Sequence, residues 1–298
     1  MALDPILTLP SIKAELEAGW KLFDDLFATF TPSRWARKFG KTWIYADIPY
    51  HLAYFDRMIA KSLEDGSNAP EHGRMHMKSM GEMHAWNADE FRKRPAGQTV
   101  EQSLAQMREA RDRLRRLLGR MTEADLDTPC WMPLIFGWGP ARGIARAVII
   151  HNVAEYWKVW IRTGKKTPAP SPASVHARLA FMMEFMPASL NRAEAAKGPF
   201  TAVWNFVGPG GGAWTFRVRN GACAVTEEMP AEKPDVMITM KPETFHRIVA
   251  KMTPPPLLML GGQMRVKGLA AMGRFGKLFP EPKPDEIIEP TGTTGATG

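Results

Sequence analysis

Apolar residues recur at helical spacing through the first 165 positions. Ile12, Leu16, Leu22, Leu26 and Phe30 predict a helix over 11–30. Ile44, Ile48, Leu52, Phe55 and Ile59 predict a second over 43–64, which Pro49 should kink, because proline lacks an N–H and crowds the preceding turn. A less regular helical stretch covers 74–93. Thr99 with Glu101 and Gln102 marks a helix start, and Leu104, Met107, Leu114, Leu117 and Leu118 form the buried face over 99–121. Ile144, Val148, Ile149, Val153, Val159 and Trp160 do the same over 140–163. Long helices in succession predict an all-α, up-down four-helix bundle.

The pattern changes after the Pro/Ser-rich run TPAPSPAS at 167–174. That run suits a semi-rigid linker and divides a helical domain, 1–166, from a second domain, 175–280. One more helix is expected over 174–195, and then alternation takes over. Phe200, Ala202, Trp204 and Phe206 alternate with Thr201, Val203 and Asn205, and Trp214, Phe216 and Val218 alternate with Thr215, Arg217 and Arg219. The GPGGG run at 208–212 and the Asn220–Gly221 pair are hairpin turns. Further strands are expected at 222–226, 236–240 and 264–266, with helices at 242–252, 255–260 and 268–278. Strands followed by helices predict an α+β domain built on an antiparallel sheet. The segment from 281 to 298 lacks apolar periodicity and reads as a flexible tail.

Composition narrows the function classes. The chain has 298 residues and is 45% hydrophobic, which excludes wholesale disorder. Two distant cysteines, Cys130 and Cys223, exclude a disulfide scaffold, a CxxC redox motif and a thiolate zinc finger. No apolar run approaches the ~20 residues of a membrane span, no signal-peptide pattern opens the sequence, and the expected location is cytoplasmic. There are 39 Lys and Arg against 31 Asp and Glu, a net charge of +8. The excess is spread evenly, 25 against 20 before residue 171 and 14 against 11 after it, so no basic patch suggests nucleic acid. No glycine run opens a helix after a strand, so no nucleotide cofactor is expected.

Two of the seven histidines fall inside apolar helix stripes. His51 shares a face with Ile44, Ile48 and Phe55. His151 shares a face with Ile144, Val148 and Glu155, and stands four residues before Glu155, so both side chains project from one turn. A neutral imidazole and a carboxylate at that spacing can hold a divalent ion, and His51 from a facing helix would complete a three-ligand site with open positions. The competing reading is of satisfied core histidines and an exposed helix charge. His72 and His76 have the same spacing but sit beside Gly73 and Arg74 and read as a solvated segment. Asp47, Tyr54 and Tyr156 lie close enough in sequence to support the ligands.

The segments KTWIYADIPYHLAYFDRMIA (41–60), AWNADEF (85–91) and IIHNVAEYW (149–157) resemble motifs of the DinB-like bundle superfamily, over about residues 10–165. The resemblance implies a bundle binding zinc, nickel or iron, with His51 and His151 as ligands and Glu155 in place of the usual third histidine. It also implies thiol-dependent transfer or isomerisation, with a thiol co-substrate.

KPDVMITMKPETFHRIVA (233–250) and GGQMRVKGLAAMGRFGKLF (261–279) resemble the sterol carrier protein type-two domain. That resemblance implies an apolar tunnel for a sterol, fatty acyl chain or other lipid. The wall is expected to include Trp204, Phe206, Trp214, Phe216, Val236, Ile238, Met240, Phe245, Leu258, Met264 and Met272. His246 reads as a helix-surface residue. Two functions stay open: a metal-dependent enzyme with a fused hydrophobic-ligand module, and a non-catalytic lipid carrier whose bundle is a structural or homodimerisation platform.

Overall fold

A computed structural model describes residues 8–39, 43–68, 79–132, 137–281 and 283. His72 and His76 lie outside them. The helical domain contains α1 (Leu9–Ala28), α2 (Pro32–Trp35), a hairpin of β1 (Lys38–Phe39) and β2 (Trp43–Ile44), α3 (Asp47–Asp65), α4 (Met80–Arg92) and α5 (Val100–Arg120). A second hairpin of β3 (Pro129–Met132) and β4 (Gly137–Pro140) leads into α6 (Ala141–Arg162). The helix start expected at Thr99 takes the form of a capping box: its hydroxyl accepts from the Gln102 amide, and Gln102 reaches back to the Thr99 amide.

Pro49 does not kink α3. Trp43 and Ile44 are strand, and the helix begins only at Asp47, which puts Pro49 in its first turn, where no intrahelical N–H bond is due. The small hairpins were not read from the sequence, because two- and four-residue strands are too short for a period to register.

The second domain opens with α7 (Pro172–Phe185) and α8 (Arg192–Ala195). The single helix expected over 174–195 is therefore broken. Pro187 cannot donate an amide hydrogen, the chain tightens to a 3-10 turn over Met186–Ser189, and Asn191 caps α8 by accepting from the Glu194 amide. Then follow β5 (Phe200–Phe206), β6 (Gly212–Arg219), β7 (Ala222–Thr226), β8 (Val236–Met240), α9 (Pro242–Val249), α10 (Pro255–Leu260), β9 (Met264–Lys267) and α11 (Met272–Leu278). Asn220 and Gly221 both have positive φ, 51° and 76°, as a two-residue hairpin requires.

The sheet order is β7-β6-β5-β8-β9. It is mixed rather than antiparallel, because β5 and β8 run parallel at its centre. After β7 the chain returns across the sheet to the free edge of β5. Asp235 fixes the arrival: its carboxylate accepts from the Thr201 amide at 2.7 Å and its own amide donates to Thr201 O at 2.9 Å. Gly268 closes over the same point. Its φ is +79°, and a Cβ there would stand 1.9 Å from the Asp235 carbonyl oxygen.

The two domains share a core. Phe23, Leu52, Val153, Trp157 and Val159 of the helices belong to one buried cluster with Leu179, Phe206, Phe216, Ile238 and Phe245. α7 is tied to α6 by Arg146, which donates to Ala177 O at 3.2 Å, and to α1 through Ser174, whose hydroxyl donates to Glu15 at 2.6 Å.

Candidate metal centre

His51 sits one turn into α3, and His151 and Glu155 lie on adjacent turns of α6. The helices bring one ligand atom from each residue to within 4.8 Å of the others. His51 and Glu155 are buried, each 5% exposed, and His151 is half-buried. Glu155 is therefore not an exposed helix charge. The two Nε2 atoms are 3.0 Å apart, a separation open to nitrogens that each lie about 2.0–2.1 Å from one ion.

The surroundings set the protonation of each donor. Tyr54 Oη donates to Asn87 Oδ1 at 2.5 Å, so the phenol oxygen is left to accept from His51 Nδ1. That leaves the lone pair of His51 on Nε2, toward His151. Burial raises the Tyr54 pKa and keeps it a neutral donor. Burial also lowers His51 to about 4, Glu155 opposing, and takes His151 well below its ordinary value. Burial alone would raise Glu155, but the Lys158 ammonium opposes it, and the carboxyl stays well below the usual range. Two neutral imidazoles and a carboxylate result, the protonation states in which these groups ligate metals. Two further atoms are buried without hydrogen-bond partners among the described residues, His151 Nδ1 and Glu155 Oε2. An orphaned carboxylate oxygen is costly unless something unseen completes it, and a divalent cation does so; the residues fit one.

Apolar rings wall the site. The His151 ring stacks on Phe55 with centroids 3.8 Å apart, and Trp43 meets His51 edge-on at 4.9 Å. Of the expected supporting residues only Tyr54 is placed against a ligand. Asp47 instead accepts from the Ile44 amide and Arg94, and Tyr156 donates to Pro168 O.

Four contributors escaped the sequence reading. Asn87 lies in the AWNADEF segment and was visible only as part of that motif. Lys158 donates to Glu155 Oε1. Arg178 of α7 makes no hydrogen bond or ion pair among the described residues; burial draws it down to about 10, against the attraction of Glu155. His246 of α9 is not on the surface. It is 2% exposed, its ring lies 5.2 Å from that of Trp157, and neither ring nitrogen has a hydrogen-bond partner among the described residues. The last two come from the second domain, so no local spacing connects them to His151.

If the Tyr54–Asn87 pair orients His51 as described, Tyr54→Phe should weaken metal binding by about 10–100-fold while the fold survives. Competition with a chromophoric chelator measures this, and an unchanged affinity would show the phenol to be idle.

Residues 15–158 match the DinB superfamily, and the helical domain is a DinB superfamily domain. Residues 172–290 match the alkyl sulfatase C-terminal family, where a sterol carrier domain was expected, and the likeness to a sterol carrier protein is partial. In structure the chain is similar to a mycothiol-dependent maleylpyruvate isomerase solved as a mutant, with TM-score 0.54 and 10% identity over 96% of this chain and 100% of that one. At that identity the likeness concerns the fold. A sterol carrier protein 2 from Yarrowia lipolytica in its apo form aligns with 34% of this chain and 91% of its own, at 18% identity and TM-score 0.27, too low to carry an argument. The sec-alkylsulfatase Pisa1 from Pseudomonas sp. aligns with 82% of this chain and 46% of its own, at 15% identity and TM-score 0.32, and carries none either. No curated protein matches the sequence. Among the described residues, no helix is long and apolar enough to cross a membrane.

Proposed function

We propose that the protein is a metal-dependent enzyme of the thiol-using isomerase or transferase kind, with zinc, nickel or iron held by His51, His151 and Glu155. The observation that carries this reading is the convergence of two neutral imidazoles and an ionised carboxylate in a site that leaves a carboxylate oxygen buried without a partner among the described residues. A divalent ion bound there would supply Lewis acidity, lowering the pKa of a thiol or water placed beside it.

The chain's own residues do the rest. Tyr54 and Asn87 hold the His51 tautomer. Phe55 and Trp43 keep the imidazoles out of water. Arg178 and His246 of the second domain both feel the charge of Glu155, have no hydrogen-bond or ion-pair partner among the described residues, and suit an anionic group of the substrate. The solved relative of similar fold is an isomerase whose name includes a thiol and a carboxylic acid, which agrees with this division of labour.

In this reading the second domain also takes the apolar part of the substrate. Trp204 stacks on Phe206 and Phe245 meets both edge-on, with ring centroids 5.2–5.9 Å apart, and Val236, Ile238, Met240, Leu258 and Met264 are buried in the same cluster. Trp214 and Phe216 are buried in the same cluster, and Met272 packs on its edge. A hydrophobic ligand has to part these side chains to enter.

Metal analysis of protein purified without a histidine tag tests the proposal. About one equivalent of metal is expected, as-isolated or after incubation with zinc, nickel or iron. Less than about a tenth of an equivalent under every loading condition would sink it.

A further inference from the structure

Glu155 is the charged member of the centre, and its two oxygens are treated differently. Lys158 stands three residues on, facing the same side of α6, and its ammonium donates to Oε1. Oε2 is buried without a hydrogen-bond partner among the described residues. The Glu155 side chain is only 6% exposed, whereas that of Lys158 is 33% exposed, so the lysine reaches in from the rim and closes the carboxylate off from solvent.

We propose that Lys158 is a positioning residue of the metal centre: it engages Oε1, confines Glu155 to single-oxygen coordination through Oε2, and cancels the charge that Glu155 brings. The inference rests on the reading of this centre as a metal site. A free carboxylate can ligate through both oxygens. With Oε1 held by the ammonium, only one is left to offer, and a coordination position stays open for substrate. The charge argument runs the same way. Two neutral imidazoles and a carboxylate sum to −1, and the ammonium returns the set to zero. An ion bound there keeps its full charge for polarising a substrate, and gives up affinity because Lys158 repels it.

An ordinary surface ion pair at this spacing contributes little and would leave both carboxylate oxygens wet. Here the carboxylate is buried and half-satisfied.

Zinc affinity and the cobalt(II) absorption spectrum of the intact protein, Lys158→Met and Lys158→Arg test the proposal, with circular dichroism confirming that each is folded. Lys158→Met should bind zinc about ten-fold tighter or more, since it removes a repelling charge and frees a second oxygen. Its cobalt bands should weaken as a ligand is added. Lys158→Arg, which keeps the cation, should stay within about three-fold of the parent. Weaker zinc binding by Lys158→Met, or affinity within about two-fold of the parent with an unchanged cobalt spectrum, overturns the role of Lys158 while the metal site stands. No metal uptake by the parent protein overturns both.

Discussion

Replacing His51 by alanine is expected to empty the metal centre, taking bound zinc from about one equivalent to less than about a tenth. His51 supplies one of three donors and is the only one from α3; the other two lie on neighbouring turns of α6. Two donors on one helix cannot close a three-ligand site, so the loss should be near complete, and the same protein should still fold. The variant also reports on acid stability. In the folded apo protein burial lowers His51 to about 4, below the ordinary 6.5. A lowered imidazole contributes stability that is fully present above the unfolded value and is lost as the pH falls through the folded one. The metal-free parent should therefore lose stability between about pH 6.5 and 4, and His51→Ala should lose less of it over the same range. Thermal unfolding of both apo proteins at stepped pH checks this. An identical pH dependence would show that His51 is not held neutral by its surroundings.

The three proposed ligands were legible because the chemistry is local. His151 and Glu155 are four residues apart on a helix whose apolar stripe is plain, and His51 sits inside an equally plain stripe. What surrounds them was not legible. Tyr54 needs Asn87, which is 33 residues away on a helix of weak period. Arg178 and His246 come from beyond the linker, and their relation to Glu155 depends on how the second domain docks. His246 shows the hazard. In an eight-residue helix a polar position next to Arg247 reads as surface, yet docking against Trp157 buries it. The fold divides along the same line. Helices with long periods and the Asn220–Gly221 turn were readable one segment at a time. The parallel pairing of β5 with β8 was not, because it depends on where the chain lands after crossing the sheet. Proline was informative in both directions: Pro187 broke a helix that periodicity had joined, and Pro49 opened one that it was expected to bend.

Removing the guanidinium of Arg111 should cost more stability than any other single change considered, about 3–5 kcal/mol. Arg111 is 1% exposed on α5 and Asp56 is fully buried on α3. Their closest charged atoms are 4.0 Å apart, and both Asp56 oxygens lack a hydrogen bond among the described residues. The guanidinium also donates to Asp24 at 3.0 Å and lies over the Trp20 and Phe23 rings, 5.9 Å from each centroid. Burial pushes the Asp56 carboxyl up to about 7 even though Arg111 pulls it down, so without Arg111 the carboxyl loses its main counter-charge. Arg111→Met keeps the packing stem and isolates the charge effect. Adding Asp56→Leu to it should restore most of the loss, because a buried pair exchanged for apolar groups is often neutral or stabilising, whereas half a pair is not. The pH dependence has the opposite sign to that of His51. A raised carboxyl contributes stability that is fully present below its unfolded value, about 3.9, and is lost as the pH rises through about 7. In urea unfolding, Asp56→Asn should accordingly gain on the parent as the pH rises from about 4 to about 7. A double variant no more stable than Arg111→Met, or an Asp56→Asn difference that does not change with pH, would mean that Arg111 acts through Asp24 and the aromatic rings alone.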